Sequence, residues 1–137
     1  MSLPRSETQS RESDSDPDAI VAYLADPRHI PLWAPAFADT VMPEGPTRWL
    51  LSKDGADFSL RVAVSPESRT VDYLRQVAPG REGGAYIRVM PRLAGGSVIV
   101  MTLPLPPSAD QAAVAATLDR ELTALVGQVA AGSAGSA

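Results

Sequence analysis

Several residue types are absent or scarce in this chain of 137 residues, and each absence narrows the range of functions. There is no cysteine, which excludes structural disulfides and thiol catalysis. The only histidine is His29, so a zinc or iron site built from protein ligands alone would need mostly carboxylates. We therefore expect neither a bound metal nor another cofactor.

Long apolar runs and an excess of basic charge are also missing. No stretch approaches the roughly 20 apolar residues of a transmembrane helix, and the polar start lacks the apolar core of a signal peptide. These features predict a cytoplasmic protein without a membrane span. The net charge is −4 with both signs interspersed, which argues against a nucleic-acid partner.

The longest regular element is predicted near the C-terminus, over about residues 108–130. Ser108 is the expected N-cap, and Gly132 is expected to end the helix ahead of a loose tail over residues 131–137. Since the helix follows a series of strands and no other long helix is present, it must lie on a sheet. Apolar residues at helical spacing form one stripe, which consists of Val114, Leu118, Leu122, Leu125 and Val129.

The N-terminal part predicts short helices after a polar start. Residues 1–15 are either a tail or a weak first strand, since charges on an edge strand discourage unwanted pairing. Asp16-Pro17 is typical of a helix start, and Asp26-Pro27 ends that helix. Three prolines at a spacing of four then exclude a long helix. Short turns are expected instead, and they carry Trp33 and Phe37 inward.

Between residues 40 and 104 the pattern changes to short strands separated by turn residues. Asp54-Gly55 is the strongest hairpin signal in the chain. Because every connection is short, the strands are expected to form an antiparallel meander. The six predicted strands cover residues 40–42, 48–53, 57–64, 70–77, 85–91 and 97–103.

Alternation along these strands predicts which side chains face the interior. On strand 70–77 it places Arg75 beside Tyr73 on the apolar face. A buried guanidinium needs an acid or an anionic ligand. Alternatively, Arg75 lies near the strand end, where its stem packs on the core and its head reaches solvent. The sequence leaves both interpretations open.

The segment 98–103 is apolar on both of its faces. Either it is a central strand whose outer face is less polar than usual, or its second face is covered. The cover would come from the N-terminal segment or from a second subunit, which predicts a homodimer through this strand.

A cavity is expected where a curved sheet and a straight helix diverge. A mostly apolar enclosure with a few polar groups is typical of small-molecule sites, although inward aromatic residues more often belong to a filled core. Tyr73 and Arg75 are the candidate polar anchors. The candidate lining residues are Trp33, Phe37, Trp49, Phe58, Tyr73, Arg75, Tyr86, Leu118 and Leu122.

The order of the elements and one local motif resemble a known family. Ala22–Pro27, with the sequence AYLADP, and Ile30–Pro35, with the sequence IPLWAP, resemble the opening of polyketide cyclase/dehydrase-like members of the SRPBCC (START/Bet v1-like) superfamily. The resemblance implies an α+β helix-grip (Bet v1-like) fold in a single domain over residues 16–130. Two short N-terminal helices precede a curved antiparallel sheet of six or seven strands, and the long C-terminal helix packs across it. Residues 5–13 depart from the family, whose first strand is usually apolar on alternate positions.

The same resemblance implies a cavity for a hydrophobic or aromatic small molecule that is lipid- or polyketide-like. No catalytic motif accompanies it: His29 has no nucleophile or acid at a telling spacing and is expected to have a surface or capping role. Glu121 borders the apolar stripe, which places it either near the cavity mouth or at a solvated edge of the helix, and the solvated edge is expected. Two alternatives stay open, a cyclase- or dehydratase-like enzyme in which Arg75 polarises a carbonyl, and a protein–protein interaction domain with a filled core.

Overall fold

The structure is a computed structural model that describes residues 5–135, with side chains to residue 132. Two short helices, α1 (Pro17–Leu24) and α2 (Ile30–Trp33), are joined by a 3-10 turn, and α3 (Gln111–Gly135) ends the described chain. The strands are β1 (Arg5–Ser13), β2 (Thr40–Pro43), β3 (Arg48–Lys53), β4 (Ala56–Ser65), β5 (Thr70–Ala78), β6 (Arg81–Pro91) and β7 (Ser97–Leu105).

All seven strands form one antiparallel sheet in the order β1-β7-β6-β5-β4-β3-β2. Strands β2 to β7 are the predicted meander, and β1 is added beyond β7. Asp54 and Gly55 connect β3 to β4 and both have positive φ, 51° and 81°, as a two-residue hairpin loop with the twist of the sheet requires. The predicted α+β helix-grip architecture is confirmed, with seven strands.

Helix α3 begins and ends later than the sequence predicted. The backbone N–H of Ala109 donates to the carbonyl of Pro106, so Ser108 lies in a turn and not at the helix start. Asp110 is the cap instead, since its carboxylate accepts from the backbone N–H of Ala113 at 3.1 Å. The helix continues through Gly132 to Gly135, where a loose tail was expected, and residues 136–137 lie outside the described part.

The stripe of α3 packs onto the concave face of the sheet and forms the core with α1 and α2. Leu118, Leu122, Leu125 and Val129 are buried, and Val114 is half-buried against them. The larger core side chains outside α3 that are no more than 2% exposed are Ile20, Leu24, Ile30, Leu51, Leu60, Val71, Tyr73, Ile87, Val89, Ile99 and Met101. Within residues 5–135, no helix combines the length and the apolar character needed to cross a membrane.

Strand β1 forms although it is almost wholly polar. It pairs along its whole length with β7, from Arg5 opposite Leu105 to Ser13 opposite Ser97. Its inward side chains meet the polar flank of α3 and not the apolar core. Arg11 forms an ion pair with Asp119, and the Gln111 amide donates to Glu7 at 3.0 Å. Residues 5–13 are therefore the first strand of the sheet, and its inward side chains are polar because they face the polar flank of α3.

This pairing also explains the apolar segment 98–103. Strand β7 lies between β1 and β6, so its backbone edges are both occupied. Ile99 and Met101 are buried in the core, while Val98 and Val100 are half-buried on the outer face. The segment is thus an interior strand. A homodimer would have to use its outer face, and size-exclusion chromatography at several concentrations tests that prediction.

Candidate functional site

A cavity of about 910 Å³ opens between the sheet and the first half of α3. The α3 residues that line it are Ala113, Val114, Thr117, Leu118 and Glu121, whereas the later stripe residues are packed in the core. The helix and the sheet are therefore closed together at one end and diverge at the other. The volume falls in the range of small-molecule sites, roughly 300–1,000 Å³.

The walls of the cavity are mostly apolar. One side consists of α2 and the turn after it, where the Trp33 ring lies 6.2 Å from that of Tyr73 on β5. The end of β5 and the start of β6 form the floor near the mouth. The end of β7 completes the lining with Met101, Leu103, Pro104, Leu105 and Pro106.

The structure brings six of the nine predicted candidates to this cavity. They are Trp33, Phe37, Tyr73, Arg75, Tyr86 and Leu118. Trp49 and Phe58 do not line it, because they lie on β3 and β4 and pack against the core, and Leu122 is buried under the closed end of α3. Contact with a ligand stays a prediction for all of these residues.

Tyr86 borders the cavity differently from the others. Along β6 it alternates with Ala85 and Ile87, which pair with the inward residues Tyr73 and Val71 of β5. Its side chain is 38% exposed. By its register Tyr86 therefore belongs to the outer face of the sheet, although it is among the residues that border the cavity.

Arg75 combines the two interpretations that the sequence left open. It lines the cavity as its parity predicted, yet its side chain is exposed near the end of β5. The guanidinium carbon lies 5.0 Å from the centre of the Phe58 ring, in a cation–π arrangement. Phe58 in turn meets Phe37 edge-on at 5.4 Å. The guanidinium group of Arg75 thus packs on an aromatic ring at the rim of the cavity.

Tyr73 is less available to a ligand than predicted. Its hydroxyl donates to the carbonyl of Leu24 at 2.5 Å, which ties β5 to the end of α1. Burial raises the pKa of Tyr73 far above its ordinary value, so the phenol stays protonated. Its ring contributes to the wall of the cavity while its proton is engaged elsewhere.

Glu121 is the main correction to the sequence-based interpretation. It was expected at a solvated edge, but it lines the cavity, and burial raises the pKa of its carboxyl to about 7. The neighbouring Arg120 opposes this rise and does not cancel it. Glu121 therefore exchanges a proton near neutral pH inside an apolar enclosure. Its position three residues after Leu118 was the available signal, since residues at that spacing share a helix face.

Arg81 was also missed. It begins β6 at the end of the β5–β6 hairpin and lines the cavity mouth. The sequence placed it in a Gly-rich turn, because Gly80 and Gly83 flank it, and nothing in the local pattern indicated a cavity. Only the pairing of β5 with β6 brings Arg81 and Arg75 to the same opening.

His29 has a capping role and lies outside the cavity. Its Nδ1–H donates to the carbonyl of Tyr23 at the end of α1, at 2.8 Å, because a carbonyl oxygen can only accept. The two rings are stacked 4.0 Å apart. Among the described residues, no group of three or more His, Cys, Asp or Glu side chains is arranged to hold a metal ion.

Comparisons with solved structures identify the same fold in other proteins. The Zhui aromatase/cyclase from Streptomyces sp. R1128 is 18% identical, with 93% of this chain and 94% of that chain covered at a TM-score of 0.66. A START superfamily protein from Mycobacterium smegmatis is 16% identical, with 90% and 96% covered at a TM-score of 0.68. A protein from Thermus thermophilus is 14% identical, with 94% and 99% covered at a TM-score of 0.68. At these identities the likeness shows the fold alone.

The sequence itself carries a family signature as well. No curated protein gives a significant match. A family model described as "Polyketide cyclase / dehydrase and lipid transport" matches residues 5–133, which includes the polar β1 and nearly all of α3. The chain therefore belongs to the polyketide cyclase/dehydrase and lipid transport family, as the motif around Trp33 predicted.

Proposed function

We propose that the protein binds a hydrophobic or aromatic small molecule, lipid- or polyketide-like, in the cavity between the sheet and α3. The observation that carries this proposal is the open space of about 910 Å³ under the first half of the helix, with mostly apolar walls. The second alternative, a protein–protein interaction domain, required a filled core, which does not agree with that space. The family description, which joins cyclases and lipid transport, supports a ligand of this class.

A neutral solvatochromic dye, Nile red, tests the proposal without any contribution from charge. We expect saturable binding with a blue-shifted emission, because the apolar walls exclude water from the dye. Thr117→Phe places a ring into the cavity and should weaken dye binding at least about tenfold, which corresponds to about 1.4 kcal/mol.

The control for this experiment is the adjacent position. Ala116 is exposed and does not line the cavity, so Ala116→Phe adds the same ring outside it. Circular dichroism and thermal melting establish that both variants are folded. Equal dye affinity in Thr117→Phe and in the unmodified protein would refute binding in this cavity.

A second candidate is an enzyme of the cyclase or dehydratase type that uses the same cavity. It is favoured by Glu121, whose carboxyl has a pKa of about 7 and is therefore suited to take up and return a proton near neutral pH. Arg75 lines the same cavity and can stabilise the negative charge that develops on a carbonyl oxygen. Together they would form an enolate from a ketone and return the proton.

Hydrogen exchange at the α-carbon of benzoylacetone in D₂O isolates this proton transfer. The enzyme candidate predicts faster exchange with the protein than in buffer, and loss of the acceleration in Glu121→Gln. Ala116→Phe should keep it. An unmodified protein that does not accelerate exchange would rule out this proton transfer, while the binding proposal would stand on the dye experiment.

A further inference from the structure

We propose that the ligand is an amphipathic anion, whose carboxylate or phosphate monoester is held at the cavity mouth by Arg75 and Arg81 while its apolar body lies inside. The inference rests on the proposed function and specifies the class of ligand for the same cavity. The inference follows from the charged side chains at the mouth and from the ion pairs that they do or do not form within the protein.

The two arginines at the mouth have no acidic partner. Within the described residues, neither Arg75 nor Arg81 forms an ion pair or a hydrogen bond with a carboxylate, although both line the cavity. The nearest acid along the hairpin, Glu82, is engaged by Arg61 through two hydrogen bonds of 3.0 and 2.7 Å. The mouth therefore presents two guanidinium groups whose counter-charge the protein does not supply.

This local charge is opposite to that of the whole molecule. The chain carries a net charge of −4, yet among residues 5–135 the acids that line the cavity are Glu82, which Arg61 engages, and Glu121, which lies on α3 in the opposite layer. Burial raises the pKa of Glu121 to about 7, so near neutral pH it is only partly ionised. An anion that approaches the mouth thus meets a positive rim on a molecule whose net charge is negative.

Guanidinium groups suit recognition of a planar or tetrahedral anion. Arg75 is supported on the Phe58 ring, which reduces the number of conformations that its guanidinium must lose on binding. A register shift between Gln76 and Ala78 sets the end of β5 and places Arg81 opposite Ala78. The guanidinium fork bonds carboxylate and phosphate oxygens in pairs, which a point charge cannot do.

The positive charge continues beyond the mouth. Arg81 also borders a second depression, which includes Arg48 and the ion pair of Arg61 with Glu82, so that Arg48 is the additional cation there. A small head group such as a carboxylate would contact the rim alone, and a phosphate with a longer tail outside the cavity would extend toward this depression.

The test compares two probes that differ only in charge, 11-(dansylamino)undecanoic acid and its methyl ester. Both carry the same fluorophore and chain, so the apolar contribution cancels in the ratio of their dissociation constants. We expect the acid to bind about tenfold more tightly at low ionic strength. This preference should shrink as added salt screens the exposed rim.

Substitutions of the arginines show whether the mouth causes the preference for the acid over the ester. Arg75→Met with Arg81→Met keeps the length of the stems and removes both charges, so the ratio of the two dissociation constants should fall to near one. Arg88→Met is the matched control, because Arg88 is exposed on the same strand as Arg81 and does not line the cavity. Competition by dodecanoate and by dodecyl phosphate then tells which anionic group the rim holds more tightly.

The outcomes separate this inference from the proposed function. If neither probe binds, the cavity does not hold an apolar ligand, and both proposals fail. If the acid and the ester bind equally, the inference is overturned while the cavity remains a binding site. A preference for the acid that survives the double substitution would also overturn it, since the charge would then be recognised elsewhere.

Discussion

At the scale of single residues, Glu121 illustrates how burial sets the chemistry of a side chain. Its carboxyl titrates at about 7 in the folded protein, compared with 4.5 for an unperturbed group. Between these two pH values the folded state holds a proton that the unfolded chain has released. Stability therefore decreases as the pH rises from about 4.5 to about 7, and it stays lowered above that range.

Glu121→Gln should remove this pH dependence, because an amide does not ionise. We expect the variant to match the unmodified protein at pH 4 and to melt higher at pH 8 by at least about 4 °C. Glu67→Gln, in the exposed turn between β4 and β5, is the control and should show no such difference. A melting-temperature difference that is the same at both pH values would contradict burial as the cause.

Two adjacent glycines at the start of β6 differ in what a side chain would meet. A Cβ on Gly84 would lie 1.8 Å from the carbonyl oxygen of Tyr73, a backbone atom that cannot move away cheaply. A Cβ on Gly83 would meet only the two methyl groups of Val77, at 3.2 and 3.6 Å. We expect Gly84→Ala to lower the free energy of unfolding by at least about 2 kcal/mol. Gly83→Ala should cost clearly less in the same urea titration, and similar losses for both would argue against this close approach.

At the scale of elements, β1 is held in place by side-chain contacts with α3, and β7 needs β1 to pair its outer backbone edge. The ion pair between Arg11 and Asp119 is partly exposed, and such pairs contribute about 1 kcal/mol or less. The larger contribution is the ladder of backbone hydrogen bonds along β7, which otherwise would be an unpaired edge. The polar sequence of β1 did not predict a paired strand, because its inward side chains meet the flank of α3 and not the apolar core.

Removal of residues 1–12 should expose the edge of β7, so we expect lower stability and concentration-dependent association by size-exclusion chromatography. Thr8→Ala is the control, since it removes only the 2.8 Å contact between the hydroxyls of Thr8 and Thr102. That variant should remain unchanged in elution and lose no more than about 0.5 kcal/mol. A truncated chain with unchanged elution and stability would show that β1 is dispensable.

At the scale of the whole molecule, α3 is closed on the sheet at one end and separated from it at the other. Leu125 is fully buried in the closed end, whereas Leu118 is buried but borders the cavity. Leu125→Ala should cost about 2–5 kcal/mol, because it creates a new void. Leu118→Ala should cost less in urea unfolding, since it enlarges a space that already exists. A larger loss of stability in Leu118→Ala than in Leu125→Ala would indicate that the cavity does not lie beside Leu118.

Much of this fold was predictable because its signals are local. The Asp54-Gly55 turn, the alternation along β4 and β5 and the stripe of α3 depend on residues a few positions apart, and each lies where the sequence indicated. The helix ends were less predictable. Pro106 forms a turn that displaces the start of α3 beyond Ser108, and Gly132 continues the helix that it was expected to end.

By itself, the sequence determined the architecture, the family and the aliphatic stripe that covers the sheet, since periodicity and turn residues act over short distances. Only the tertiary structure decided what its charged side chains face. Glu121 became a half-buried acid, and Arg75 and Arg81 became a positive rim, because β5, β6 and α3 border the same space. The pKa and the partners of a charged group depend on which distant segments surround it, and that information is absent from any local pattern.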